Sequence, residues 1–155
     1  MQPANRLRIA HLWLLLALSC STTIHGVLPI EQDFYHFTTG EELTQNTIQD
    51  ILQDSKGFIW IATQNGLNRY DGSHYISYTH EPDNPNSLSG VFIRDIFEDA
   101  YGNIWVASAP GKLDKISAGS GDIIRYSGLR NGEGKSITGD INQIFQDSEH
   151  RLWIA

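Results

Sequence analysis

Few side chains in this sequence are placed to do chemistry. His11, His25, His36, His74, His80 and His150 show no ligand spacing, so they suggest no metal site. Cys20 is the single cysteine, which excludes an intrachain disulfide and a cysteine-based zinc site. "GLRNGEGKS" (Gly128–Ser136) is glycine-rich, yet it opens no helical pattern and lacks the spacing of a phosphate cradle. No acid and base residues stand in a context that singles them out for hydrolysis or elimination, and no cofactor is expected. What does recur is a carboxylate and an indole in the frame D-x-x-G-x-x-W, at Asp54 to Trp60 and Asp99 to Trp105. A third copy, Asp147 to Trp153, has His150 where the others have Gly57 and Gly102.

These pairs belong to a larger repeat, and finding it precedes any other fold argument. Trp60, Trp105 and Trp153 are 45 and 48 residues apart, and Ile48, Ile93 and Ile141 keep the same separations. The units begin "IQDILQDSKGFIWIAT", "IRDIFEDAYGNIWVAS" and "INQIFQDSEHRLWIA". Their second halves repeat more loosely: Asn65–Tyr78 matches Pro110–Tyr126 with insertions, and Gly66 and Gly111 mark the start of the third segment. Similar lead-ins, "ELTQNTI", "SLSGVFI" and "SITGDI", precede each unit.

The spacing of Ile48, Ile51 and Leu52 fits one helical face, but each run is too short for a stable helix. It reads instead as a strand, either buried on both faces or carrying a bulge. "FIWIAT" and "NIWVAS" are β-branched and aromatic, and read as a second, fully buried strand. Asp-Ser-Lys-Gly is the hairpin turn between them: the Asp side chain bonds amides ahead of it and Gly57 supplies a positive φ. Without that glycine, the third turn is expected to be built differently. "LNRY" and "YISY" follow the turn formers Asn65-Gly66 and Asp71-Gly72 as third and fourth strands.

Four short antiparallel strands per unit of this length is the pattern of a β-propeller blade. The expected fold is therefore all-β, an incomplete propeller of about two and a half blades: residues 48–78, 93–126 and the partial 141–155, with "DFYHF" (33–37) as an orphan strand. Trp60, Trp105 and Trp153 are read as inter-blade core and Asp54, Asp99 and Asp147 as turn formers, without a catalytic role. A closed ring needs at least four blades, so a chain of this extent made alone is expected to expose strand edges and aggregate. "YTHEPDNPNSL" (Tyr78–Leu88) reads as a solvated inter-blade connection that could also line a ligand face.

Residues 1–26 stand apart. Arg6 and Arg8, an apolar run from Ile9 to Leu18, and small residues after it read as a secretory signal peptide, or an uncleaved signal anchor. Cys20 could be a lipoprotein acceptor, but Leu18 is bulky where a small residue is usual. Removing this segment takes two arginines away, so residues 27–155 carry 9 Lys+Arg against 18 Asp+Glu, a net of −9. Nothing forms a basic stripe, which argues against a nucleic-acid partner.

"QDSKGFIWIATQNGLNRYDG" (Gln53–Gly72) resembles the two-component regulator propeller repeat, D-x-x-G-x-[IL]-W-[IV]-[GA]-T followed by G-L-x-x-[YF]-D. Asp99–Ile116 departs by one inserted residue, and Asp147–Ala155 covers the first half only. The resemblance implies the start of a periplasmic sensor region, with two tandem propellers, a β-sandwich, a membrane span and a cytoplasmic output module in the whole protein. The implied output is a histidine kinase or a diguanylate cyclase, the implied anchor is the bacterial inner membrane, and the implied assembly is a homodimer. An extracytoplasmic small molecule or glycan is the implied ligand, its site unknown, and no catalysis is expected within these residues. The alternative is a secreted propeller enzyme acting on a glycan. Sialidase-type Asp-boxes are close in pattern but have one residue fewer before the glycine, and no Trp-Asp repeat ending occurs.

Overall fold

In the computed structural model, residues 43–137 and 139–155 are described; the leader segment and the expected strand at 33–37 lie outside them. The described elements are ten strands: β1 (Ile48–Gln53), β2 (Ile59–Thr63), β3 (Gly66–Tyr70), β4 (Tyr75–Tyr78), β5 (Phe92–Glu98), β6 (Ile104–Ala109), β7 (Lys112–Ile116), β8 (Ile123–Tyr126), β9 (Ile144–Gln146) and β10 (Leu152–Ile154). They form two four-stranded antiparallel sheets, β1-β2-β3-β4 and β5-β6-β7-β8, and the hairpin β9-β10. Each is the unit that the repeat implied.

The first strands resolve the choice left open by the helix-like spacing. The β1–β2 register shifts between Ile48 and Asp50, and the β5–β6 register shifts between Ile93 and Asp95, so each first strand carries a bulge. An extra residue in one strand interrupts the alternation of faces and produces the i, i+3, i+4 pattern without a helix. β1 is not buried on both faces; most of its residues are exposed.

Alternation along the strands sorts each blade into two faces. Leu52, Phe58, Trp60, Ala62, Leu67 and Tyr78 of the first blade pack against Ile93, Ile96, Ile104, Val106 and Ile116 of the second. The same arrangement follows one blade later: Phe97, Trp105, Ala107, Leu113 and Tyr126 meet Ile141, Ile144, Leu152 and Ile154. Leu88, from the connection between blades, is fully buried in the first interface. The core therefore lies between sheets, and each blade depends on its neighbours for burial.

Hydrogen bonds follow the same translation. Asp50 accepts from Ile96 N (3.1 Å), and Asp95 accepts from Ile144 N (2.6 Å). Glu98 accepts from Ser55 N and Oγ (2.8 and 2.5 Å), and Gln146 accepts from Ala100 N (2.8 Å). Both links run from one blade to the next at matching positions, which ties strand register to blade stacking.

Two turns differ from expectation. At the β6–β7 turn the extra residue lies inside the turn itself, in Ala109-Pro110-Gly111, with a cis Ala109–Pro110 peptide. Lys112, not Gly111, takes the place in the ladder that Gly66 holds, because Ser108 pairs with Lys112 as Thr63 pairs with Gly66. Gly66 itself is demanded by space: a Cβ there would lie 2.6 Å from the Tyr78 carbonyl oxygen. The second difference is in the third blade. The turn without glycine is not built differently; His150 takes φ 61° where Gly57 and Gly102 have 90° and 79°. Its amide bonds Asp147 O at 3.0 Å, as Gly57 and Gly102 bond Asp54 O and Asp99 O at 2.9 Å.

Candidate functional site

The recurrent carboxylate–indole frame folds into one repeated constellation. Asp54 Oδ1 accepts from Lys56 N (3.0 Å) and Phe58 N (2.9 Å), and its Oδ2 accepts from Trp60 Nε1 at 2.8 Å. Asp99 takes the amides of Tyr101 and Asn103 (both 2.9 Å) and Trp105 Nε1 (2.8 Å). Asp147 takes those of Glu149 (2.9 Å) and Arg151 (3.0 Å), and Trp153 Nε1 (2.8 Å). A turn-forming role for the aspartates accounts for the amide bonds. The indole bond is additional, and the constant spacing of Asp and Trp was its signal in the sequence.

Each indole face also carries a cation. Arg69 lies 5.7 Å from the Trp60 ring, Lys115 5.7 Å from Trp105, and Arg151 5.8 Å from Trp153. Tyr78 stacks on Trp60 at 5.6 Å and Tyr126 lies tilted against Trp105 at 5.2 Å. These contacts fix the indole between turn and neighbouring strands.

The electrostatics agree with a structural role for these acids. Burial is the largest influence on Asp99 and pushes its pKa up. The bonds from Asn103, Trp105 and the turn amides outweigh it, so the net shift is downward. Asp147 is also held well below the usual carboxylate range, chiefly by the Trp153 indole. Carboxylates so stabilised as anions are poor bases and poor acids near neutral pH.

Two other aspartates shift the opposite way. Asp114 on β7 is fully buried; burial raises its pKa against the bonds from Ser89 N (2.8 Å) and Ser89 Oγ (2.5 Å). Asn68 holds the matching place in the first blade and bonds Thr44 from the preceding lead-in, through Thr44 N at 3.2 Å and Thr44 Oγ1 at 2.9 Å. The repeated "LT" and "LS" of the lead-ins are thus anchor points on the third strands. Asp95 is raised by burial, with the charge of Asp50 adding to it and the Ile144 amide opposing. Both carboxylates of that pair accept strand amides of the following blade, which commits them to stacking.

The connection Tyr78–Leu88 is only partly the solvated loop expected. Arg125 of β8 gathers it, donating from Nε to Ser87 O (2.7 Å) and from Nη2 to Asn84 O (2.8 Å) and Ser87 Oγ (2.6 Å). Asn86 Oδ1 accepts from Ile123 N at 2.7 Å. Nothing in residue type or spacing along the sequence marked Arg125. Beside it, at the β6–β7 turn end of the second blade, an open cavity of about 600 Å³ is lined by Ser89, Lys112, Arg125, Tyr126, Gly128 and Ile137 among others. A second cavity of about 200 Å³ lies between the first two blades, near the Asp54 turn. Among the described residues no group of three or more His, Cys, Asp or Glu side chains converges to hold a metal.

A blade of four antiparallel strands, stacked on a translated copy of itself through aromatic and β-branched faces, defines a β-propeller. Residues 42–65 and 87–109 match the family model of the two component regulator propeller. These two stretches are similar to that family's repeat. Over 56 residues it is 38% identical to "Histidine kinase P4" of Formosa agariphila, a match covering 36% of this chain and 4% of that protein. Two solved structures from B. thetaiotaomicron are similar in fold. The extracellular domain of BT3049, a proposed hybrid two component system, aligns with a TM-score of 0.65 and 25% identity over 77% of this chain and 17% of its own. The extracellular domain of BT4673, a proposed one component system, aligns with a TM-score of 0.59 and 31% identity over 71% of this chain and 15% of its own. The chain thus spans a small fraction of the proteins it matches.

Proposed function

We propose that this chain is part of the extracytoplasmic sensor propeller of a membrane signalling protein of the two-component type, with no catalysis in the residues described. The observation that carries the reading is the match of the opening hairpin of two blades to the family model, together with structural likeness to extracellular domains of such signalling systems. The fixed aspartates support it: their oxygens are spent on turn amides, indoles and strand amides, which suits a rigid scaffold and not acid–base chemistry. The leader-like residues 1–26 support export to the periplasm, and the resemblance supports an inner-membrane anchor elsewhere in the protein.

The whole protein would be a histidine kinase by the match to "Histidine kinase P4", with a diguanylate cyclase as the other output of the resemblance. Its ligand is an extracytoplasmic small molecule or glycan. Binding would favour one of two arrangements of the propellers in a homodimer, and transmission would be that shift in population. Further blades of the same repeat are the partners this chain needs most directly. Ile51 is 61% exposed although its counterpart Ile96 is 5% exposed, and Trp153 is 56% exposed although Trp60 is 3% exposed.

Two experiments test this. Fusing alkaline phosphatase and a cytoplasmic reporter after residue 155 gives phosphatase activity alone if the chain is exported, and the reverse result refutes export. Reading the coding sequence that follows should show more blades, a membrane span and a kinase or cyclase module; a ring that ends in channel-facing acids without a span refutes the signalling reading.

A further inference from the structure

The smaller cavity has a chemical character that the stacking of blades does not explain. Phe58, Trp60 and Tyr78 line it from the first blade, and the Ser117–Gly121 loop closes it from the second. Arg69 also lines it, with its guanidinium 4.6 Å over the Phe58 ring. The Arg69 Nε–H is buried without a hydrogen-bond partner, and Arg69 forms no ion pair among the described residues. A buried guanidinium N–H left unpaired is costly, and such groups in native structures call for an explanation. Lys56 reaches across from the Asp54 turn and donates one Nζ hydrogen to Ala118 O at 2.9 Å, leaving its charge at the same cavity.

Asp54 is the carboxylate facing this space, and it is not a counter-ion for Arg69. Its Oδ1 holds two turn amides and its Oδ2 holds the Trp60 indole. The second blade offers a comparison inside the molecule. Lys115 occupies the place of Arg69 over Trp105, and Asn103 replaces Phe58 and bonds Asp99 instead. The cation over the first indole is thus a guanidinium with an unpaired Nε–H, whereas that over the second is an ammonium.

We infer that the cavity between the first two blades binds a small ligand through an oxyanion group, a carboxylate, sulfate or phosphate, seated on the guanidinium of Arg69 and the ammonium of Lys56. The planar fork of Arg69 matches two oxygens of such a group, and the aromatic side chains hold the fork in place. The rest of the ligand lies against Trp60 and Tyr78, and the volume limits it to about the size of one sugar ring. This needs only that the two blades be formed; it does not depend on export or on the output of the protein.

Calorimetric titration of the chain with glucuronate, sulfate, phosphate and uncharged glucose tests the inference. Glucuronate or one of the inorganic anions binds and glucose does not. Glucuronate binding ahead of both inorganic anions identifies a carboxylate ligand, and the reverse order an inorganic one. Arg69→Gln weakens the binding at least about tenfold, while Lys115→Gln leaves it within about twofold. Arg69→Lys keeps charge and packing and still weakens it, and in the unmodified chain the Arg69 Nε–H proton resonance shifts on saturation. Absence of anion binding by a chain that melts cooperatively overturns the inference. So does equal binding of glucose, equal binding by folded Arg69→Gln or Arg69→Lys, or a stationary Nε–H resonance at saturation.

Discussion

The first and second blades have the same strands, the same bulge and the same Asp–Trp turn, yet they differ in what is buried. β5 hides Ile93 and Ile96 against the first blade, whereas Ile48 and Ile51 of β1 lie open. The third hairpin makes the complementary point, since Phe145 and Trp153 are exposed where Trp60 is covered. The lesson is that a repeat specifies a sheet and its two faces, but burial is conferred by the neighbour. Only the second blade is covered on both sides by described residues, and it should be the most stable part of the chain.

Substitutions can break that comparison. The largest effect is expected from Ile96→Ala, at about 2–4 kcal/mol of destabilisation, against less than about 1 kcal/mol for Ile51→Ala. Chemical denaturation of the two variants gives both numbers, and equal losses would remove the contrast. Asp99→Ala comes next. It strands two turn amides and an indole N–H in a buried place, and should cost about 2–3 kcal/mol, with Asp147→Ala in the exposed third turn costing clearly less.

The pH response sharpens the comparison at Asn68 and Asp114. Asp114 has a raised pKa, so its contribution to stability is full below the ordinary carboxylate range and is lost as pH rises through the raised value. Asp99 and Asp147 have lowered values, so their contributions are present above the ordinary range and are lost as pH falls through the lowered ones. Asp114→Asn copies the first blade. It keeps an acceptor for Ser89 N, and should stabilise the chain at neutral pH by about 1 kcal/mol while removing the loss at rising pH. Thermal melts from acid to neutral pH for both forms check the sign. The smallest effect is expected from His150→Gly, which makes the third turn like the other two. Relief of the positive φ should add about 0.5–1 kcal/mol to the hairpin's local stability, less whatever the Tyr101 contact at 5.9 Å supplies.

The strands, their order and the blade pattern were legible in the sequence because each hairpin is encoded locally. An Asp that bonds amides ahead, a residue at positive φ and a run of β-branched residues sit side by side there. The Asp–Trp bond was legible in principle, since both residues move together through all three copies. Three features were not. Whether Ile51 or Ile96 is covered depends on the adjacent blade. The place of the extra residue at Pro110 depends on which residue enters the ladder opposite Ser108. The grip of Arg125 on Asn84 and Ser87 joins residues about forty apart, with no pattern in residue type to announce it. His150 misled for a simpler reason, because glycine is the common residue at positive φ but not the only one that adopts it.

Residue-level hydrogen exchange on the chain tests the central claim most directly. The account predicts the slowest exchange in β6 and β7, slow exchange at the Ile96 amide that the preceding blade holds, and fast exchange in β10 and in β9 beyond Ile144, whose amide Asp95 holds. Uniform protection across the three units, or stronger protection in the third hairpin than in the second blade, would contradict it.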